Sequence, residues 1–378
     1  MQRTRVARAQ ISSLPIEQRV IYHLSVNWLN LIDAGEIAVD RRQFLTRSGA
    51  LIASGAAVAV AQPDTASAQT PVCTETVRPE PIAPPQQQYR IGYTTNTRGG
   101  WEGDPFKGMR EGREVGFRYM EIFGASFCRP DTLYYPDNAE GLMRRIFEIG
   151  VNFVSVSGGS ASGNTRFEDL DSRDAVVDNH FSMARFSRRF GCVVQKTNTG
   201  RRRPGGTTDQ DLKVMAGTID VLGKRMSEEL GMQLGVHPHL GSQLQSQHEL
   251  EFIMANTDPR YVGLVLDTGH FTMAGMDPLA MGKKYGKRVL EYHLKDTKPE
   301  DRGGTKHVPG PEVDQMKTPY FFPMGAGGVD FVGLKEYLDS IHWRGFLNVE
   351  LDTSPWRPPQ ESARITAKYI QDVLKIPL

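Results

Sequence analysis

Cysteine is scarce in this chain. Cys73, Cys128 and Cys192 are the only three in 378 residues, too few for a disulfide framework to hold the fold. A Cys128–Cys192 bond is open in an oxidising compartment, but Cys192 opens a strand-like run, and the expected role of each is a small buried apolar residue. An excess of one charge is lacking too: 45 basic and 44 acidic side chains leave a formal net charge of +1. That balance supplies no general attraction to nucleic acid or to anionic membranes. No stable membrane span is expected either, because the apolar run nearest the front of the chain, Gly49 to Ala61, is too short and too rich in small residues. A glycine-rich phosphate loop is also missing. Thr95-Asn96-Thr97-Arg98-Gly99-Gly100 contains no G-x-G-x-x-G, which speaks against an open doubly wound sheet.

What is present is the composition of a soluble globular protein with room for a large core, 39% hydrophobic and 24% charged. The front of the chain reads as export machinery. Residues 40–68 place Arg41 and Arg42 before Phe44-Leu45, follow with the short apolar run, and close with Ala66-Ser67-Ala68 before Gln69, with Ala59-Val60-Ala61 as a competing cleavage pattern. This is a twin-arginine signal, so the mature protein is expected outside the cytoplasm, in the periplasm or an equivalent compartment. Residues 1–39 form an N-terminal extension with no evident role. Residues 69–88, rich in Pro and Gln, read as an extended tether.

From Tyr89 to the end at residue 378, strand and helix patterns alternate. Strand-like runs are expected at Tyr89–Thr95, Tyr119–Gly124, Asn152–Gly158, Cys192–Asn198, Leu234–His239, Val262–His270, Val289–Asp296 and Phe346–Leu351. Helical spacing is expected at Pro105–Val115, Glu140–Ile149, Thr165–Phe190, Asp209–Leu230, from Gln247, from Pro278, and at Ser362–Leu374. Eight strands alternating with helices predict an α/β fold, a (β/α)8 TIM barrel, for residues 89–378.

Five of the nine histidines fall between Gly235 and Asp296, and the metal-binding residue types there stand at the carboxyl ends of strands. His237 and His239 alternate in VHPH, Asp267 ends a buried run, His270 follows it after a glycine that permits a sharp turn, His293 ends the next run, and Glu350 ends the last. Carboxyl ends converge on one face of a barrel. His237, Asp267, His293 and Glu350 are therefore the expected ligands of a divalent ion, and mixed His and carboxylate donors suit Mn, Co, Fe or Zn. His239 and His270 are the expected acid and base, with Glu350 sharing base duty. Glu121 and Lys295 are candidates for hydroxyl contacts. Arg201 and Arg202, in NTGRRRPGG, would hold a phosphate or carboxylate, or simply face water.

LDTGHFTMAGMDP, EYHLKD, the loop MGAGGVDFVGLKEYL and the final FLNVELD resemble the sugar phosphate isomerase/epimerase family, with its xylose isomerase-like barrel. The resemblance covers Tyr89 to Leu378 and is strongest after Gly231. It implies metal ligands at Asp267, His293 and Glu350, with His237 standing where that family carries a strand-five glutamate. HPHLGS is similar to the inosose dehydratase branch. The activity implied is proton abstraction next to the carbonyl of a keto-sugar or inosose through an enediolate, ending in isomerisation, epimerisation or elimination. Two other readings compete. A non-catalytic exported sugar-binding barrel would bind such a sugar without turnover. A metal-dependent AP endonuclease-like enzyme would require a basic groove that the charge balance does not provide. The expected partner is a small carbohydrate, and a homo-oligomer is compatible with the composition.

Overall fold

A computed structural model describes residues 88–128, 133–158, 166–302 and 315–378. The extension 1–39, the twin-arginine segment 40–68, Cys73 and the tether up to residue 87 lie outside the described residues. So do residues 129–132, 159–165 and 303–314.

Eight parallel strands close into a barrel in sequence order, β1 pairing with β2 and so on until β8 returns to β1. The strands are β1 Tyr89–Thr94, β2 Tyr119–Phe123, β3 Asn152–Gly158, β4 Val194–Thr197, β5 Gln233–Val236, β6 Val262–Asp267, β7 Val289–Leu294 and β8 Gly345–Val349. One longer helix follows each: α1 Pro105–Val115, α2 Ala139–Ile149, α3 Arg173–Arg188, α4 Asp209–Leu230, α5 Gln247–Ala255, α6 Pro278–Tyr285, α7 Phe331–Ser340 and α8 Pro359–Asp372. Every residue of β6 is buried, as an unbroken Val/Leu run covered on both faces requires. In α4 the residues that recur at helical spacing, Leu212, Met215, Ile219, Leu222 and Met226, are the buried ones. Its start is fixed by a capping box in which Thr208 and Asp211 satisfy each other's backbone N–H. Cys128 and Cys192 are buried free thiols.

Three departures from the sequence reading are structural. The strand expected over Val262–His270 ends at Asp267, and Thr268–Met273, which carries His270, is a short helix capped by the Asp267 side chain. The segment taken as a loop, MGAGGVDFVGLKEYL, contains α7, which starts where the Asp330 side chain accepts from the Gly333 N–H. The long helix expected from residue 165 is shorter, because residues 166–172 turn before α3 begins. Among the described residues no helix is long and apolar enough to cross a membrane.

Two register shifts bear on function. One lies between Met120 and Glu121, the other between Leu264 and Val265. Each inserts a residue before a strand's carboxyl end and re-aims the side chains beyond it. After the second shift Asp267 stands directly across from His293.

Candidate metal centre and active site

The four expected ligands meet. One donor atom from each of His237, Asp267, His293 and Glu350 lies within 4.8 Å of the others, and all four residues are buried. Neighbouring strands deliver them: His237 from the residue after β5, Asp267 from the end of β6, His293 from β7 and Glu350 from the residue after β8. Two of the donor atoms, His237 Nε2 and Asp267 Oδ2, have no hydrogen-bond partner. They face each other at 3.7 Å, and Asp267 Oδ2 is 3.8 Å from His293 Nδ1. Buried polar atoms are rarely left unsatisfied. Two imidazoles and two carboxylates brought to one point, two of their donor atoms without a hydrogen bond, fit a divalent ion of the Mn, Fe, Co or Zn type. His237 is oriented by Asn198, whose side-chain oxygen is 3.1 Å from Nδ1; such an outer partner fixes the ring and leaves Nε2 as the ligand. Burial pushes the His237 imidazole well below the ordinary histidine range, which keeps that lone pair available.

Around these ligands the structure places further charges, among them Lys196, which the sequence reading did not single out. Lys196, on β4, is buried, with Nζ 2.9 Å from Glu121 and 3.4 Å from Glu350. Lys295 is also buried, with Nζ 3.2 Å from Asp267, 3.0 Å from Glu350 and 3.1 Å from Asp352. Burial alone would lower both ammonium groups, but the carboxylates outweigh it and raise them. Glu121, against the same burial, is brought down to about 2 by Lys196 and His293. His293 bridges the acids, with Nδ1 2.9 Å from Glu350 and Nε2 3.0 Å from Glu121. Below the ligands, inside the barrel, Glu291 accepts from Ser155 and from Asn348. The backbone of β1 must come close here, because a Cβ on Gly92 would overlap the Asn348 side chain.

The sequence offered one signal for Lys196, a lone charge inside the run CVVQKTN, since a buried ammonium must find carboxylates. Glu291 carried none, because it lies one layer below the strand tips.

The expected acid/base pair is adjacent to the centre. The rings of His239 and His270 are 3.8 Å apart. His239 Nδ1 donates to the Leu240 carbonyl at 2.7 Å, so Nε2 is the nitrogen left to exchange a proton. His270, His239 and Asp352 form a second group of potential metal donors, but the Lys295 ammonium lies between them, 3.1 Å from both His270 Nε2 and Asp352 Oδ1. Gly269 has a different role from the one the sequence suggested. Its backbone is not left-handed; a Cβ there would strike Lys295 and Phe321, so it is the packing around Lys295 that requires glycine.

Lys295 is held in this network as a counter-charge. Glu121 is tied to Lys196 and His293. Arg202 departs from the expected substrate role: its guanidinium is paired with Glu249 of α5 at 2.8 and 3.2 Å, which fastens the loop after β4 to the next helix. The Arg201 side chain is exposed, and its backbone bridges to Ser242. The glycines of MGAGG also gain a reason. The Asp296 carboxylate accepts from the N–H groups of Thr297, Gly325, Gly327 and Val329, and a Cβ on Gly327 would overlap it.

The inosose dehydratase of Clostridium tetani (strain Massachusetts / E88) is 32% identical over 166 residues, 44% of this chain and 55% of that protein. The chain thus spans about half the length of the inosose dehydratases it matches. Rhizopine catabolism protein MocC of Rhizobium meliloti is 26% identical over 256 residues, 65% of this chain and 74% of that one. In three dimensions, a sugar phosphate isomerase/epimerase from Parabacteroides distasonis ATCC 8503 covers 78% of this chain and 98% of its own, with a TM-score of 0.58 at 18% identity. The family profile of the xylose isomerase-like TIM barrel matches residues 109–373, and the chain belongs to that family.

Proposed function

We propose that the protein is a divalent-metal-dependent enzyme that removes the proton next to the carbonyl of a keto-sugar or inosose and then expels a β-hydroxyl as water. The observation that carries this reading is the convergence of His237, Asp267, His293 and Glu350, two of them with a donor atom that makes no hydrogen bond, beside the closely packed imidazoles of His239 and His270. The names of the relatives, inosose dehydratases, support the dehydratase outcome over isomerisation or epimerisation.

A divalent ion held by the four ligands supplies Lewis-acid stabilisation to the oxyanion that develops as the carbon gives up its proton. The remaining steps fall to the chain itself. His239 is the base: its tautomer is set by Leu240, and burial lowers its pKa, so it is neutral and ready to accept at pH 7. Glu350 is the poorer base, because Lys196 and Lys295 hold its carboxyl well below the usual carboxylate range despite burial. The departing hydroxyl takes a proton from the imidazole pair and leaves as water. One C–H and one C–O bond break, a C=C bond forms, and the protein ends in its starting protonation state.

The test is deuterium incorporation. Metal-loaded protein is incubated in D2O with 2-keto-myo-inositol and with 3-keto-glucose, and mass spectrometry reads both solvent deuterium at the α-carbon and loss of water. Exchange that falls on the order of 100-fold in Asp267→Asn, and disappears with chelator, is expected. Exchange without loss of water would move the reading to an isomerase or epimerase. Binding of either sugar without exchange would move it to a sugar-binding barrel.

A further inference from the structure

The loop after β8 ends its buried stretch at Ser354 and then exposes Trp356, 61% accessible to solvent. An indole this exposed stands out, because Trp101 is buried and Trp343 packs against Tyr89 and Tyr292. Trp356 is also ordered by a partner. The Phe322 ring stacks on it with centroids 5.5 Å apart and planes 18° apart. Phe322 in turn is anchored next to the catalytic centre, since its N–H donates to the Asp296 carbonyl. The preceding residue, Phe321, points the other way along the extended segment. It lies 4.6 Å from Lys295 Nζ and 4.8 Å from the His270 ring. One short segment thus presents one aromatic ring to the reacting centre and the next to the rim of the barrel mouth.

Beside Trp356, its neighbours Pro355 and Arg357 line a cleft of about 510 Å³ that extends to Gly99, Lys107 and Glu111. The loops that follow β1 and β8 contribute Gly99, Gly100, Ser354, Pro355, Arg357 and Pro358 to it, on the carboxyl side of the barrel that also carries the metal centre. Its size is within the range of small-ligand sites. A flat apolar ring beside a cleft with cationic donors and a carboxylate acceptor matches a pyranose, which has an apolar C–H face and a girdle of hydroxyls.

We propose that Trp356, backed by Phe322, and the adjoining cleft form an outer subsite for the second ring of a glycoside whose first ring reacts at the metal centre. The inference rests on the proposed function for the position of the first ring. It narrows the substrate to a 3-keto-glycoside, in which the group β to the carbonyl is the glycosidic oxygen. Loss of the α-proton would then expel the second ring as its alcohol in place of water: the C–H and glycosidic C–O bonds break, a C=C bond forms, and the imidazole pair returns the proton to the leaving oxygen.

The test uses the full chain with Trp356→Ala and Trp356→Phe, and compares 3-keto-lactose with 3-keto-glucose in the deuterium assay. The expected result is a roughly tenfold rise in KM for 3-keto-lactose in Trp356→Ala, with kcat unchanged, no change for 3-keto-glucose, and recovery in Trp356→Phe. Equal effects on both sugars, or none on the disaccharide, would overturn the subsite. If neither sugar exchanges, the proposed chemistry fails separately, and unreactive lactose decides the inference. Its titration should quench tryptophan fluorescence in the wild type and not in Trp356→Ala; no quenching in the wild type overturns it.

Discussion

Lys196 carries the sharpest consequence at the scale of single residues. Its ammonium balances Glu121 and Glu350 in the barrel interior, and removing one partner of a buried pair leaves uncompensated charge. Lys196→Met is therefore expected to destabilise the ion-free protein by about 3 kcal/mol, read from denaturant unfolding. The same change removes a competing cation 3.4 Å from Glu350, so divalent-ion affinity should rise, as isothermal titration would show. A ligand substitution such as His293→Ala should weaken the ion instead. Opposite signs in these two variants would separate the counter-charge from the ligand. The four ligands were legible in the sequence because each stands at a strand tip, where a polar residue after a Val/Leu run has to face the mouth. Lys196, Glu291 and Asp352 were not, since their roles depend on which strands end up adjacent. Arg202 shows the converse, a residue whose chemistry suited a substrate but whose nearest carboxylate, Glu249, belongs to the fold.

At the scale of elements, α3 contains a buried histidine with no part in the chemistry. His180 packs edge-on against Phe167 and bonds through Nδ1 to the Val176 carbonyl, while Nε2 has no partner. Burial lowers its pKa to about 4. The unfolded chain, with an ordinary histidine near 6.5, takes up the proton first. Stability from this residue is thus complete above pH ~6.5, declines as the pH falls toward about 4, and is level below that. The decline should amount to roughly 3 kcal/mol, and His180→Phe should flatten it in unfolding curves measured across this window. Most helices were readable from apolar spacing and caps. The exception, α7, was hidden by the glycines before it and by Gly333 within its first turn, both of which look like loop composition until Asp330 and Asp296 are seen to bind them.

At the scale of the whole molecule, closure of β8 onto β1 is what brings Glu121 of β2 round to His293 of β7. No local pattern announces that closure. It follows from counting eight strand and helix units, and the count was in the sequence. The export reading concerns the chain as a whole. We propose that residues 40–68 direct the folded protein out of the cytoplasm, and replacing Arg41 and Arg42 by lysine should leave it inside, as cell fractionation would show.

The two buried lysines bear on this route. A metal centre built only of acids and imidazoles would repel itself until its ion arrived, and folding would wait for the metal. Here Lys196 and Lys295 already neutralise the acids, so the barrel can close first and be metallated afterwards. Folding and ion selection become separate events. On the proposed export of the folded protein, the compartment where the chain folds, and not the one where it works, would set which ion it carries.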